Sequence, residues 1–430
     1  MTATALINAR LVDGTGAPAR DGWGLLIDEE GQISAAGAAD SLQIGRETEV
    51  LDVSGRTVMP GLIDAHTHLT YHAKEYALIL QQMNENLEFN TLKAAENAKM
   101  ILETGCTAVG DGACRGHIGS AIRDAVANGV IPGPKVVAAG QMLSGSGGIG
   151  DHTGAWGYHE NDSYLGITVN GVEEVQAAVR RQIRSGVDWV KVTASGTPGN
   201  PWIDGDTQDL SFDEISAAVR ETAKFGKPVH AHAHDPKGIK DAVRAGVISL
   251  HSGEFADDEG LALMAETGCV FVPTIAWLHF RIDEDYAQAF TRSGGTGPAD
   301  IQKFIARCGE AYEACADTVR RAKAAGTPIG VGSDAAHVFP PYDLAFEMEY
   351  LQDLGLSALE VIQSATQISA RAVGRGESWG TLEVGKAADL LVVDGDPSQD
   401  VRVLRDKDKI VLIMQDGQVR KNGLSGGGGL

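Results

Sequence analysis

Between residues 58 and 373 the chain alternates. Short apolar runs of strand length lie at 58–65, 106–111, 135–140, 187–193, 228–233, 247–251, 269–274 and 327–332. Stretches with helical spacing separate most of them, over 73–104, 117–129, 211–225, 237–245, 257–267, 300–325 and 343–373. Val172, Val175, Val179 and Ile183 mark another such stretch, spaced for one helical face. Eight strands alternating with helices over about 320 residues predict a (β/α)8 TIM barrel in an α/β fold. A doubly wound open sheet alternates too, but no GxGxxG follows the first strand, which argues against its nucleotide-binding form.

The two ends have a different texture. "ALINARLVDG", "GWGLLIDEEGQISAAG" and "TEVLDVSGRTVMP" read as short β segments broken by turn residues, as do "ADLLVVDGDP" and "KIVLIMQDGQVRKNG". They predict a small β-sandwich domain built from residues 1–57 and 384–430, with the barrel spanning 58–383. The formal net charge of −22 argues against the basic face that a nucleic-acid partner requires. No apolar run approaches the roughly 20 residues of a membrane span. The N-terminus has no basic segment leading into an apolar one, and the five cysteines include no CxxC pair. Together these predict a cytoplasmic protein with reduced thiols and no membrane or nucleic-acid partner.

In such a barrel the chemistry sits at the C-terminal ends of the strands. The first strand there closes on "VMPGLIDAHTHL", with His66 and His68; residues i and i+2 of a strand point to one side, so both can hold one ion. The fourth carries Lys191, the fifth His230, His232 and His234, the sixth His251 and the eighth Asp334. Two histidines near a turn are unremarkable alone; five strand ends converging on one rim read as a site. Zinc accepts imidazole and carboxylate ligands. A lysine is odd in that company, since an ammonium repels a cation. A buried lysine can lose its proton, and a neutral amine can add CO₂ to give a carbamate that behaves as a long carboxylate.

The motifs "MPGLIDAHTHL", "WVKVTASG", "VHAHAHDPKGIKDAVRAGV", "VGSDAA" and "GKAADLLVVDGDP", in that order, resemble the amidohydrolase superfamily over nearly the whole chain. The branch they are most similar to is the prolidase-like group of metal-dependent dipeptidases and N-acyl amino acid hydrolases, which includes ochratoxin-hydrolysing enzymes. "NGVIPGPKVVAAGQMLSGSGGIGD" resembles that group's approach to its third barrel loop. The resemblance implies two divalent ions, zinc in the first instance, bridged by carboxylated Lys191 and a hydroxide. It gives one ion to His66, His68 and Asp334, and the other to His232 and a histidine on strand six. It also implies Asp334 as proton acceptor, His234 facing the substrate and helping to polarise its carbonyl, a small-molecule substrate and a homo-oligomer.

The sequence departs from the branch twice. Where strand six usually reads Glu-His-Gly, this chain has His251-Ser252-Gly253. Gapless alignment puts Ser252 at the ligand position, so His251 needs a local bulge to reach the metal. Where the branch often has a histidine, Ile149 stands; His152 and His159 lie just beyond. Specificity falls to loops 112–120, 141–170, 194–210, 275–299 and 335–342, with His152, Trp156, Tyr158, Tyr164 and Trp202 as candidate contacts. Arg115 and Arg281 are weaker candidates for a substrate carboxylate. The leading reading is hydrolysis of a dipeptide or N-acyl amino acid. Cyclic amide hydrolysis or deamination of the imidazolonepropionase type is its enzymatic rival, which Lys191 disfavours because deaminase relatives commonly lack it. A barrel that has lost its metals is the rival of another class.

Overall fold

Gly61 divides the first apolar run between two sheets. Thr57–Pro60 pairs antiparallel with Leu390–Val393, from the far end of the chain. A Cβ on Gly61 would stand 2.1 Å from the Thr107 hydroxyl oxygen, so only glycine fits this close approach. Beyond it the chain enters the barrel as β1 (Leu62–Thr67). One strand expected over 58–65 is therefore two. The computed structural model that shows this describes residues 2–71, 85–151, 165–199, 203–284, 287, 298–334 and 342–424.

The barrel continues through β2 (Cys106–Asp111), β3 (Lys135–Val137), β4 (Val190–Thr193), β5 (Val229–Ala233), β6 (Ser249–Ser252) and β7 (Val270–Val272). Neighbours are parallel throughout β1–β2–β3 and β4–β5–β6–β7. Between β3 and β4 the ring is joined by Met142–Ser144, which pairs with β4, and by the Asp188 N–H donating to the Ala138 carbonyl at 2.7 Å. The eighth position is reduced to a bridge from Ile329 to Phe271. It still closes the ring, because the Ala65 N–H donates to the Val331 carbonyl at 2.9 Å. Irregularity here has a local cause: a Cβ on Gly332 would meet Val272 Cγ1 at 2.6 Å and His66 Cβ at 2.8 Å. The missing side chain lets β1 press against the strand that carries Asp334.

The barrel interior is filled by Ile63, Ala65, Ala108, Val137, Trp189, Val270 and Val272, all buried. Outside it, each helix is cut to length by its own termini. Asp235, next to His234, caps Pro236–Ala245 by accepting from the N–H groups of Lys237 and Gly238 at 3.1 Å, and Gly246 ends that helix at φ 97°. The turn that follows the fifth strand is thus fixed within a residue of the site. The expected helix over 343–373 is broken at Gly355–Ser357, where Ser357 and Glu360 form a capping box and start Ala358–Gln363. Ile275–Arg281, expected as loop, is a helix whose first N–H groups are satisfied by buried Glu347 at 3.0 and 2.7 Å.

Both termini share one eight-stranded sheet. Its order is Gln418–Asn422, Ile410–Gln415, Leu390–Val393, Thr57–Pro60, Thr4–Leu11, Arg20–Ile27 and Ile33–Ala38, with Glu49–Asp52 also paired to Thr4–Leu11. Leu6, Leu25, Ile33, Val58, Leu390, Val392, Leu412 and Met414 make its separate core. No helix among the described residues is long and apolar enough to cross a membrane, and all five cysteines are buried and unbridged.

Candidate metal centre

His66 and His68 leave β1 on one side and meet Asp334 across the closure of the barrel. Asp334 Oδ1 lies 3.1 Å from Nε2 of each histidine, and the two Nε2 atoms are 3.3 Å apart. Gly112 makes room for them, since a Cβ there would stand 2.8 Å from His66 Nε2. Asp334 sits at φ 49°, a left-handed backbone that few residues adopt, held by its N–H donating to the His66 carbonyl at 2.8 Å. Burial pushes the His66 imidazole down to about 3, with help from the Lys191 charge, so the ring is neutral.

The His68 Nδ1–H can only donate to the Ala113 carbonyl, 2.9 Å away, which leaves Nε2 bare. The ring nitrogens of His66 and His68 and a carboxylate oxygen of Asp334 face one another, with all three ligand atoms within 4.8 Å. Left to themselves they repel. A divalent cation between them removes the repulsion, and imidazole with carboxylate is a donor set such ions take. The residues fit the ion.

Lys191, on β4, is buried, and its Nζ has no hydrogen-bond partner among the described residues. Burial lowers it to about 7, so a neutral amine is available at physiological pH. Lys191 stands level with His230 on β5, and His232 level with His251 on β6. His232 Nε2 lies 3.3 Å from the Gly196 carbonyl and 3.4 Å from Thr197 Oγ1. His230 is an inner-wall residue: its ring stacks on Trp189 with centroids 3.6 Å apart.

His251, expected with His232 on the second ion, is not among the ligand atoms gathered at His66, His68 and Asp334. The register of β6 against β5 runs unbroken from Ser249–His230 to Ser252–Ala233, so the bulge expected to re-aim it is absent. Its ring is instead committed to two protein contacts, with Nδ1 against His66 Nδ1 and Nε2 2.9 Å from Ser249 Oγ. His234, also buried, has Nδ1 against Glu254 and no partner at Nε2 among the described residues. Burial raises the Glu254 carboxyl to about 8 and lowers His234 to about 3, Arg281 adding to the latter. His234 Nδ1 is thus engaged by Glu254, and Nε2 is the ring atom left to face a substrate. Arg281, a weaker candidate for a substrate carboxylate, is only 2% exposed, lying over the rings of Trp277 and Phe304 at 4.2 and 4.7 Å.

Sequence reading missed three braces. Asp64, buried inside the first apolar run, accepts from the N–H groups of His66 and Ser333 at 3.0 Å, from Ser333 Oγ at 2.6 Å and from Tyr342 OH at 2.9 Å. It ties the His66 strand to the Asp334 segment; an acid in an apolar run was its only signal. Tyr342→Phe is expected to cost about 1–3 kcal/mol by leaving that carboxylate short of a donor. An unchanged urea midpoint would contradict this. Glu254 is the second brace, through His234. Asp209 is the third: it accepts from Ser144 Oγ at 2.6 Å, Gly145 N–H at 2.6 Å, Ile149 N–H at 3.2 Å and Thr193 Oγ1 at 2.7 Å, pinning the Gly-rich loop. His152, Trp156, Tyr158, His159, Tyr164 and Trp202 lie outside the described residues. Arg115 Nη1 donates to the Glu85 carbonyl.

The sequence profile described as "Amidohydrolase family" matches residues 57–420. Ochratoxinase from Aspergillus niger is 28% identical over 379 residues, covering 85% of this chain and 75% of that protein. A crystal structure of an amidohydrolase superposes with a TM-score of 0.86 at 31% identity, over 99% of this chain and 100% of the other. A crystal structure of a Xaa-Pro dipeptidase with bound methionine in its active site does so with 0.83 at 27% identity, over 98% and 100%.

Proposed function

The chain belongs to the amidohydrolase family and is a hydrolase of carbon–nitrogen bonds, and from this premise we propose that it cleaves the amide of a dipeptide or N-acyl amino acid. One relative is named a dipeptidase and another an ochratoxinase, which supports a small amide substrate. The observation that carries the reading is the convergence of His66, His68 and Asp334 on one point.

In this reading His66, His68 and Asp334 hold a first divalent ion, zinc. A carbamate on Lys191, with His232, holds a second. Such ions polarise a carbonyl and lower the pKa of a water to about 7. The protein's residues do the rest. Asp334, kept ionised, accepts the attacking water's proton and passes it to the departing amine. His234, turned by Glu254, donates from Nε2 to the carbonyl oxygen as negative charge builds there. Arg281, buried and close enough to His234 to depress its basicity, faces the carboxylate that an amino acid leaving group carries. Five buried, unbridged thiols are in keeping with a cytoplasmic setting.

The test is a screen of zinc-loaded protein against N-acyl amino acids, dipeptides and the same compounds with the carboxylate amidated. Turnover of the free acids, at least tenfold above their amidated forms, is expected. Hydrolysis confined to cyclic amides or amidines would overturn the substrate class.

A further inference from the structure

The contact between His66 and His251 has a direction. The Ala372 carbonyl only accepts, so the Ser249 hydroxyl, 3.1 Å away, spends its one proton there. Ser249 Oγ must then accept from the His251 Nε2–H at 2.9 Å. A neutral imidazole protonated at Nε2 is bare at Nδ1, and Nδ1 is the atom set against His66 Nδ1. His66 therefore donates its Nδ1–H to His251, and its Nε2 lone pair points at His68 and Asp334. Every donor in the series has one acceptor, and the only free end is the lone pair at the ion's position.

We infer that His251 is a positioning residue for His66 and not a metal ligand. Resting on the metal site proposed above, this explains why strand six has lost the ligand position to Ser252 without losing its histidine. The imidazole has moved one residue along the strand and behind the first ligand. There it fixes the His66 tautomer and ring orientation, as outer partners of metal-bound imidazoles do. It also leaves the second ion with Lys191 and His232 alone among the described residues, so the two ions bind with unequal strength.

Zinc affinity measured by competition with a chromophoric chelator, together with the visible spectrum of the cobalt form, tests this. His251→Leu removes the acceptor and is expected to weaken the tighter ion by about 10–100-fold, with altered cobalt bands and unchanged stoichiometry at saturation. His251→Asn, whose Oδ1 can accept from His66, is expected to restore affinity to within a few-fold of the parent. Ser249→Ala breaks the series one step back without touching a ring and decides the matter if His251→Leu fails to fold; a shift in the same direction is expected. Parent-like affinity in His251→Leu, or in Ser249→Ala if His251→Leu does not fold, would overturn the inference. So would loss of an ion at saturation in both His251 variants, which would make it a ligand. Failure of the metal reading looks different: the parent takes up no ion, or His66→Ala takes it up as well as the parent.

Discussion

Asp334→Asn is expected to lower turnover by about 10²–10⁴-fold in metal-loaded protein, the range for losing a positioned acid–base group. The substitution keeps an oxygen that can face His66 and His68, now 3.1 Å away, and so keeps most of the site's shape. It removes the negative charge, and an amide oxygen does not take up a proton at neutral pH. The site therefore loses the group that collects a proton from water and returns it to the amine. Because the Asp334 N–H, not its side chain, holds the left-handed turn, the backbone is expected to stay in place. Steady-state kinetics at saturating zinc, with ion content measured on the same sample, reads the effect. Near-parental turnover with full metal would remove Asp334 as the base.

Lys191→Ala is expected to abolish turnover and strip metal together. A fully buried amine lowered to about 7, with no partner for Nζ among the described residues, is a poor structural residue and a good nucleophile for CO₂. The addition forms one N–C bond, releases one N–H proton to solvent and leaves an anion. In the proposed reading that anion would turn an unsatisfied buried group into a metal ligand beside His232. Alanine leaves a cavity of matching length, so acetate or propionate is expected to restore part of both metal content and turnover. Retention of full zinc and activity by Lys191→Ala, with no response to added acid, would contradict the carbamate.

The site was legible in the sequence where it obeys local rules. His66 and His68, and His230, His232 and His234, repeat with the period of a strand behind apolar runs, and Asp334 ends the last run. The barrel itself followed from alternation. What stayed hidden depends on contacts between residues far apart in the chain. The orientation of His251 is set by His66, 185 residues away, and by a register that only the folded sheet displays. Asp64 looks like a misplaced acid until Ser333 and Tyr342 close around it. Arg281 looks like a surface cation until Trp277 and Phe304 are seen against its guanidinium. Gly61 reads as one more residue of a strand, because the Thr107 hydroxyl that forbids a side chain there belongs to the next strand.

The most direct test is turnover of an N-acyl amino acid by protein freed of metal with a strong chelator, then titrated with zinc in bicarbonate buffer. Activity is expected to vanish in the apo-protein, return with added zinc, and fail to return in His66→Ala. Undiminished hydrolysis by protein verified as metal-free would contradict the account at its root.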